Sequence, residues 1–151
     1  MPQVSTVPPE ALPQIPSALQ VEHRVIHEAL LRATKAPGDI GTAARELAGA
    51  LHDHFVREEE IALPPLGLLA ALARGEFTPE MRAVLPMTEA LRAELPRMLD
   101  EHQAIHAATR RLGEVARKAG NAEVQQLAEA LALHAQSEEE VFYPAALLVG
   151  E

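Results

Sequence analysis

The stretch "HFVREEEIALP", from His54 to Pro64, returns 80 residues later as "HAQSEEEVFYP", from His134 to Pro144. Both copies keep the frame H-x-x-x-E-E-E-x-x-x-P, in which a histidine precedes a glutamate by four residues. Each residue of an α-helix advances by about 100°, so residues four apart share a face. The repeat therefore predicts two helices, each with a histidine and a glutamate on one side.

An apolar stripe runs through both histidine–glutamate pairs. It comprises Leu47, Leu51, His54, Glu58 and Ile61 on one helix, and Leu127, Leu131, His134, Glu138 and Val141 on the other. The histidines and glutamates thus stand where a helix bundle would carry leucine, and we expect them to point inward. His52 lies about 160° from His54 and should face solvent. Four neighbouring glutamates leave the stripe and are interpreted as surface charge: Glu59, Glu60, Glu139 and Glu140.

A second repeat joins "EHRVIH" (22–27) to "EHQAIH" (101–106). Each copy places two histidines four residues apart on a stripe that also carries leucine, isoleucine or methionine. The chain order is therefore a helix with H-x-x-x-H, a helix with H-x-x-x-E, and then both again. Four further histidines are predicted to face inward: His23, His27, His102 and His106.

The pattern along the chain predicts an all-α protein, an up-down-up-down four-helix bundle with an extended Pro-rich N-terminal arm. The arm covers residues 1–16, which contain five prolines, and the bundle covers residues 17–151. Ser17, with Gln20 three residues on, is predicted to cap the first helix. Long helices are expected at about 17–35, 41–63, 89–119 and 121–143, with one or two short helices within 66–96. Pro96 is a candidate kink, Gly120 suits a helix C-terminus, and Asn121 suits an N-cap.

Composition narrows the classes of function. The net charge of −9, from 13 basic and 22 acidic residues, disfavours nucleic acid as a partner. Zero cysteines exclude disulfides, thiolate metal sites and thiol catalysis. No apolar run approaches the roughly 20 residues of a membrane span. The N-terminus lacks a signal-peptide pattern, so the expected location is cytoplasmic.

Six inward histidines and two inward glutamates need compensation. An unpaired buried carboxylate costs several kcal/mol and an unsatisfied imidazole about 1–3 kcal/mol, against a net stability of roughly 5–15 kcal/mol. Two glutamates cannot satisfy six imidazoles, whereas bound cations can. Imidazole with carboxylate suits iron, manganese or zinc, and two glutamates from facing helices suggest two metal ions.

These motifs together resemble the hemerythrin family, and specifically the bacterial hemerythrin-like HHE cation-binding domains, over about residues 17–148. The resemblance implies a four-helix bundle around a non-haem di-iron centre bridged by two carboxylates and an oxo or hydroxo group. It implies terminal ligands at His23, His54, His102 and His134, and bridges at Glu58 and Glu138. The oxygen-carrying hemerythrins end their last motif with Asp at five residues' spacing, whereas this chain has Glu at four. The resemblance is therefore closer to the bacterial iron-storage, repair and sensing proteins.

The roles of His27 and His106 decide whether such a centre is open. Two octahedral irons offer about twelve positions, of which the three bridges fill six. Four histidine ligands then leave two vacancies, and six leave none. The alternative is that His27 and His106 only support the ligands. Glu22 and Glu101 are candidate partners for the outer ring nitrogens of ligating histidines, and Tyr143 is interpreted as packing.

Three functions remain open on the sequence. The first is a di-iron protein that binds or senses O2 or a related small molecule such as NO or peroxide. The second is an enzyme of oxidative or nitrosative stress, or an iron-delivery protein for iron-centre repair; with no cysteine, it would take electrons from a redox partner protein. The third is a helical interaction module with zinc or a vestigial metal site. The sequence does not specify an oligomeric state.

Overall fold

A computed structural model describes residues 13–151. In this range the chain is helical, without a β-strand, and the first twelve residues of the predicted arm lie outside the described residues. The α-helices are α1 Ser17–Thr34, α2 Gly38–Ile61, α3 Leu69–Ala73, α4 Leu85–Lys118, α5 Ala122–Ser137 and α6 Tyr143–Val149. Two 3₁₀ turns flank α3, at Pro64–Leu68 and Pro79–Val84, and a π-helical turn, Glu138–Phe142, joins α5 to α6.

Four long helical segments form the predicted four-helix bundle: α1, α2, α4, and α5 with its continuation. Each packs against its two neighbours in a closed ring, α1 on α2, α2 on α4, α4 on α5, and α5 on α1. Cross-contacts show that neighbours run antiparallel. Arg45 donates to the carbonyl of Thr34 near the α1–α2 turn, while Glu59 contacts His23 farther along. The fold class predicted from the sequence is confirmed.

Two of the predicted helix ends are confirmed, and the predicted cap of α1 is wrong. Gly120 follows α4 with a φ of 68°, a left-handed conformation that glycine adopts without strain. Asn121 then caps α5, its side chain accepting from the Val124 N–H at 3.1 Å. Ser17 is not an N-cap. It is the first residue of α1, Pro16 precedes it in the cap position, and no side chain caps this end. A proline there ends the irregular stretch 13–16 directly at the helix.

The last helical segment continues beyond Pro144, where the sequence predicted an end. Proline lacks an N–H but is tolerated in the first turn of a helix, and Pro144 occupies that place in α6. The preceding π turn holds one more residue than an α-turn, because the N–H of Tyr143 bonds the carbonyl of Glu138 five residues back. This extra residue also moves Val141, predicted to face inward, to an exposed position.

The interior has two apolar regions with a polar layer between them. One cluster contains Leu30, Leu47, Leu51, Ile105, Leu112 and Leu131, and the other contains Leu19, Leu63, Leu91, Met98 and Tyr143. On every long helix the buried histidine lies between a residue of the first cluster and a residue of the second, as His54 does between Leu51 and Ile61. The candidate ligands therefore occupy a slice across the bundle with apolar packing on both sides.

The connection between α2 and α4 covers one end of the bundle. Its 3₁₀ turns and α3 pack through a small cluster of Leu68, Ala71, Met81 and Val84. Gly67 lets the chain near Gln14 approach this connection, because a Cβ at position 67 would lie 1.9 Å from the Gln14 carbonyl oxygen. Among the described residues, every helix is too short or too polar to cross a membrane.

Candidate metal centre

Six of the eight predicted ligand residues converge inside the bundle. They are at most 4% exposed, and the two carboxylates are essentially inaccessible: His23, His54, Glu58, His102, His134 and Glu138. Each long helical segment supplies a histidine because His and Glu replace leucine on its apolar stripe. The prediction that these six side chains face inward is confirmed.

The first group of donor atoms comes from α2, α4 and the π turn. The Nε2 atoms of His54 and His102 lie 2.8 Å apart. Glu58 Oε1 is 3.4 Å from His54 Nε2, and Glu138 Oε1 is 3.8 Å from His102 Nε2. These four residues lie close enough together to hold one metal ion.

The second group comes from α1, α5 and the π turn. The Nε2 atoms of His23 and His134 lie 2.9 Å apart, and Glu138 Oε1 is 3.5 Å from His134 Nε2. His23, His134 and Glu138 can hold a second ion. Glu138 belongs to both groups, so its carboxylate lies between the two candidate metal positions.

The nitrogen and oxygen atoms of the cluster are better suited to bind cations than to form hydrogen bonds with one another. Glu58 Oε1 and Glu138 Oε2 are buried without any hydrogen-bond partner. The two Nε2 atoms of each close histidine pair can share only one proton, and where the outer Nδ1 atoms carry the protons both inward nitrogens are bare lone pairs. Buried carboxylate oxygens without donors carry a large desolvation penalty. Metal ions bound between the imidazoles and carboxylates would satisfy all of these lone pairs, and N/O ligation suits iron, manganese or zinc.

The pKa values show the same conflict between burial and charge. Burial raises the pKa of Glu58 to about 8, against the hydrogen bond from Tyr143, which lowers it. Burial, and then the neighbouring His102, lower the pKa of His54 to about 3. Burial also lowers the pKa of His23 and of His102. Without a cation the interior therefore disfavours both the carboxylate and the imidazolium.

A carboxylate lies at the outer nitrogen of each buried histidine. Glu22 Oε1 is 2.6 Å from His134 Nδ1, and Glu139 Oε1 is 2.8 Å from His102 Nδ1. Glu101 lies 3.4 Å from His54 Nδ1 and Glu59 lies 3.5 Å from His23 Nδ1, which are ion-pair distances. Such partners fix the tautomer and ring orientation of a ligating histidine. Glu22 makes the contact that the sequence predicted, whereas Glu101 lies only at ion-pair distance from His54 Nδ1, which has no hydrogen-bond partner.

The interpretation of Glu59 and Glu139 as mere surface charge is wrong. Each follows a buried glutamate, so its side chain leaves the stripe by about 100° and reaches the histidine of the neighbouring helix. Partial burial raises the pKa of Glu139, but hydrogen bonds with His102 and His106 outweigh this and leave the pKa below its ordinary value. The repeat itself carried this signal, since the glutamate occurs at the same place in both copies.

The two remaining predicted ligands do not join the buried groups. His27 is exposed, so the expectation that it faces inward is wrong. It lies at the edge of the α1 stripe, where the helix turns toward solvent. The side chain of His106 is one-third exposed, and its Nε2 lies 3.0 Å from Glu139 Oε1. His106, His102 and Glu139 form a peripheral cluster of potential ligands outside the buried slice. His52 is exposed, as predicted.

Tyr143 is a site residue that sequence reasoning missed. Its hydroxyl donates to Glu58 Oε2 at 2.8 Å and lies 3.0 Å from His102 Nε2 and 3.2 Å from His54 Nε2. Burial, and then the nearby Glu58, raise the pKa of Tyr143 far above its ordinary value. On a regular α-helix a residue five positions after Glu138 would point about 140° away from it. The π turn brings Tyr143 back to the face of Glu138.

Comparison with protein families agrees with this geometry. A family model described as the hemerythrin HHE cation binding domain matches residues 14–146. The chain belongs to the hemerythrin HHE family. The matched residues include all four long helical segments and every candidate ligand of this HHE domain. No curated protein matches the chain, and no solved structure does. The family and the buried cluster together make this HHE domain a helical protein with a candidate metal site.

Proposed function

We propose that this HHE domain binds two iron ions in the buried cluster and uses them to bind or sense O2, or a related small molecule such as NO or peroxide. The observation that carries the proposal is a buried set of four imidazoles and two carboxylates, in which Glu58 Oε1 and Glu138 Oε2 have no hydrogen-bond partner. The family match to a cation-binding domain supports it.

The proposed ligands are the six buried residues. His23, His54, His102 and His134 would each bind one metal ion, and Glu58 and Glu138 would bridge the two ions. The place of Glu138 in both donor groups supports a bridging role. His106 is proposed to act through Glu139 on the ligand His102, and His27 is left out because it is exposed.

With this ligand set the centre has room for an external molecule. Two octahedral ions offer about twelve positions. An oxo or hydroxo bridge, two bridging carboxylates and four histidines fill ten of them. Two vacancies remain for exchangeable ligands. A pair of irons supplies the redox change that O2 binding needs, which zinc in the same ligands cannot supply and manganese would supply less readily.

An apolar cavity gives small molecules a route to one side of the cluster. It has a volume of about 540 Å³ and lies between α1 and α2. His23 forms part of its wall, beside Phe55, Leu51 and Leu30, and Ile15 lies at its margin. O2 and NO are small, nearly apolar molecules. An apolar passage therefore suits their entry and slows the entry of water.

The direct test is optical. Iron-loaded protein would be reduced without air, exposed to O2 and then deoxygenated, with the visible spectrum recorded at each stage. We expect absorption that appears with O2 and disappears when O2 is removed. Glu138→Ala should show no such absorption, and Glu140→Ala, a change at an exposed residue, should behave as the wild type. Absorption that is absent, or that never reverses, would contradict reversible binding.

The enzymatic alternative predicts a different result when the protein is given a substrate and a reductant. A peroxide or NO reductase would consume its substrate in the presence of a reductant, and an iron-delivery protein would pass iron to an acceptor. Because the chain has no cysteine, electrons for turnover would have to come from another protein or a chemical reductant. Steady consumption of substrate, instead of a stable adduct, would favour this alternative.

A further inference from the structure

The two halves of the buried cluster differ at one side chain. The sequence repeat aligns Leu63 with Tyr143, each one residue before the proline that ends its motif. Both side chains are 1% exposed. Tyr143 brings a hydroxyl to the half formed by His54, Glu58 and His102, whereas its counterpart in the repeat brings only an isobutyl group.

The two places share one backbone hydrogen bond, although α2 ends at Ile61 whereas the π turn Glu138–Phe142 continues into α6. The N–H of Leu63 bonds the carbonyl of Glu58 at 3.0 Å, five residues back. The N–H of Tyr143 makes the equivalent bond to Glu138. Each repeat therefore turns the residue before its proline into the bundle, and a leucine and a tyrosine occupy matching positions.

The distances around the Tyr143 oxygen match the spacing of ligands on one metal ion. Nitrogen and oxygen ligands lie roughly 2.1 Å from a first-row divalent ion, so adjacent ligands of an octahedron are about 3.0 Å apart. The tyrosine oxygen is 2.8 Å from Glu58 Oε2, 3.0 Å from His102 Nε2 and 3.2 Å from His54 Nε2. The two nitrogens are themselves 2.8 Å apart.

We propose that Tyr143 is a metal ligand, which binds as phenolate the ion held by His54 and His102 and so restricts exchangeable ligands to the ion held by His23 and His134. This inference rests on the proposed di-iron function. The phenol proton leaves to solvent as the cation enters, since ligand atoms bind metals in their deprotonated form.

Counting positions gives each ion a distinct role. Two bridging carboxylates and one bridging oxygen fill three positions on each ion. His54, His102 and Tyr143 complete one ion, which is then closed. His23 and His134 bring the other ion to five, leaving one open position. The open position belongs to the half whose His23 forms a wall of the apolar cavity, so the route of entry and the vacancy fall on the same side.

The test uses the fact that Tyr143 is the only tyrosine in the chain. Wild-type protein loaded with ferric iron would be examined for phenolate-to-iron charge-transfer absorption and for resonance-enhanced phenolate vibrations. We expect both signals, and we expect the vibrations to shift when the protein is made with ring-deuterated tyrosine. Tyr143→Phe should retain iron and lose both signals. The isotope experiment decides the matter in wild-type protein even when the variant fails to fold.

Two outcomes separate the inference from the function on which it rests. Iron bound without any phenolate signal overturns the role of Tyr143 and leaves the iron site standing. No iron bound overturns both.

A second readout is titration of the reduced protein with NO. We expect one NO per centre in the wild type and in the control Phe142→Leu, and two in Tyr143→Phe. Equal stoichiometry in the wild type and Tyr143→Phe contradicts the proposal.

Discussion

Glu58 and Glu138 occupy stripe positions at which their own helices otherwise carry leucine or isoleucine, and this exchange defines the centre. A buried leucine stabilises a bundle by about 2 kcal/mol, whereas a buried carboxylate without a partner destabilises it by several. The two glutamates therefore weaken the metal-free fold and suit a cation. The histidines beside them add donors of the right geometry at lower cost, because a neutral imidazole can be buried.

Spacing alone was enough to predict which side chains face the interior. The i, i+3, i+4 rule placed all six buried ligand residues correctly, since each lies in the middle of its apolar stripe. It failed for His27, at the edge of a stripe, where a difference of one residue decides between core and solvent. It also missed Glu59 and Glu139, because contacts between helices depend on packing that a single helix does not reveal.

Glu139 supplies a prediction for the outer carboxylates. Glu139→Gln keeps the size of the side chain but removes the charge that pairs with His102 Nδ1 and His106 Nε2. We expect metal affinity to fall by roughly 10–100-fold, because such partners orient the ligand and raise its basicity. Competition with a chelator would measure the change.

Glu140 provides the matched control for this variant. It is the next residue, is exposed, and accepts a hydrogen bond from Gln136. Glu140→Gln makes the same chemical change one position away from the cluster and should leave the affinity as it is. Equal affinity for both variants and the wild type would show that Glu139 does not support the site.

At the scale of the helix, two features lay beyond the sequence pattern. The repeat predicted that both motif helices end at proline, which holds for α2 but not after Glu138. There a π turn follows, and Pro144 falls in the first turn of α6, where its missing N–H is tolerated. The helix therefore continues as α6. An α-helical period assigns Val141 to the core, and the extra residue in the π turn replaces it with Tyr143. No local propensity marks such a turn in advance.

Pro96 in the middle of α4 gives a prediction about helix stability. The residue is exposed, and the missing N–H leaves the carbonyl of Arg92 without its usual partner. Proline in a helix interior is unfavourable by roughly 3 kcal/mol, partly offset by its stiffening of the unfolded chain. We expect Pro96→Ala to stabilise the protein by about 1–2 kcal/mol in a denaturant titration.

Pro144→Ala is the control, since Pro144 is equally exposed but lies in the first turn of α6. Proline is well accommodated there, so this variant should gain little or lose slightly. Metal binding should be the same in Pro96→Ala and the wild type. A loss of stability in Pro96→Ala would mean that the proline fits the shape of α4 and does not strain it.

For the whole molecule, a polar slice between two apolar regions links folding to metal and to pH. In the metal-free protein the pKa of Glu58 is about 8, above its ordinary 4.5. Its contribution to stability is present in full below pH about 4.5 and is lost as pH rises through 8. His54 acts oppositely: with a pKa near 3 instead of 6.5, its contribution is present above 6.5 and is lost as pH falls toward 3.

In the metal-free protein the two groups therefore act in opposite directions as pH rises. From pH 6 to pH 8 the Glu58 carboxyl alone should remove on the order of 2 kcal/mol of unfolding free energy, of which His54 returns part. Metal should add several kcal/mol at pH 8, and more there than at pH 6, because it binds the deprotonated ligands. Denaturant titrations with and without chelator would measure both effects. The loss should be absent in metal-free Glu58→Gln. A loss of the same size in that variant would mean that Glu58 is not the group responsible.

The most direct test is the count of metal ions. Wild-type protein, His134→Ala, Glu138→Ala and His52→Ala would be reconstituted with ferrous iron without air, desalted and analysed for iron per folded chain. We expect about two irons in the wild type and in His52→Ala, and fewer than about one in the other two variants, because each has lost a ligand of the paired centre. Fewer than about one iron in the wild type, or equal loading of all four proteins, would contradict a dinuclear centre built from these side chains.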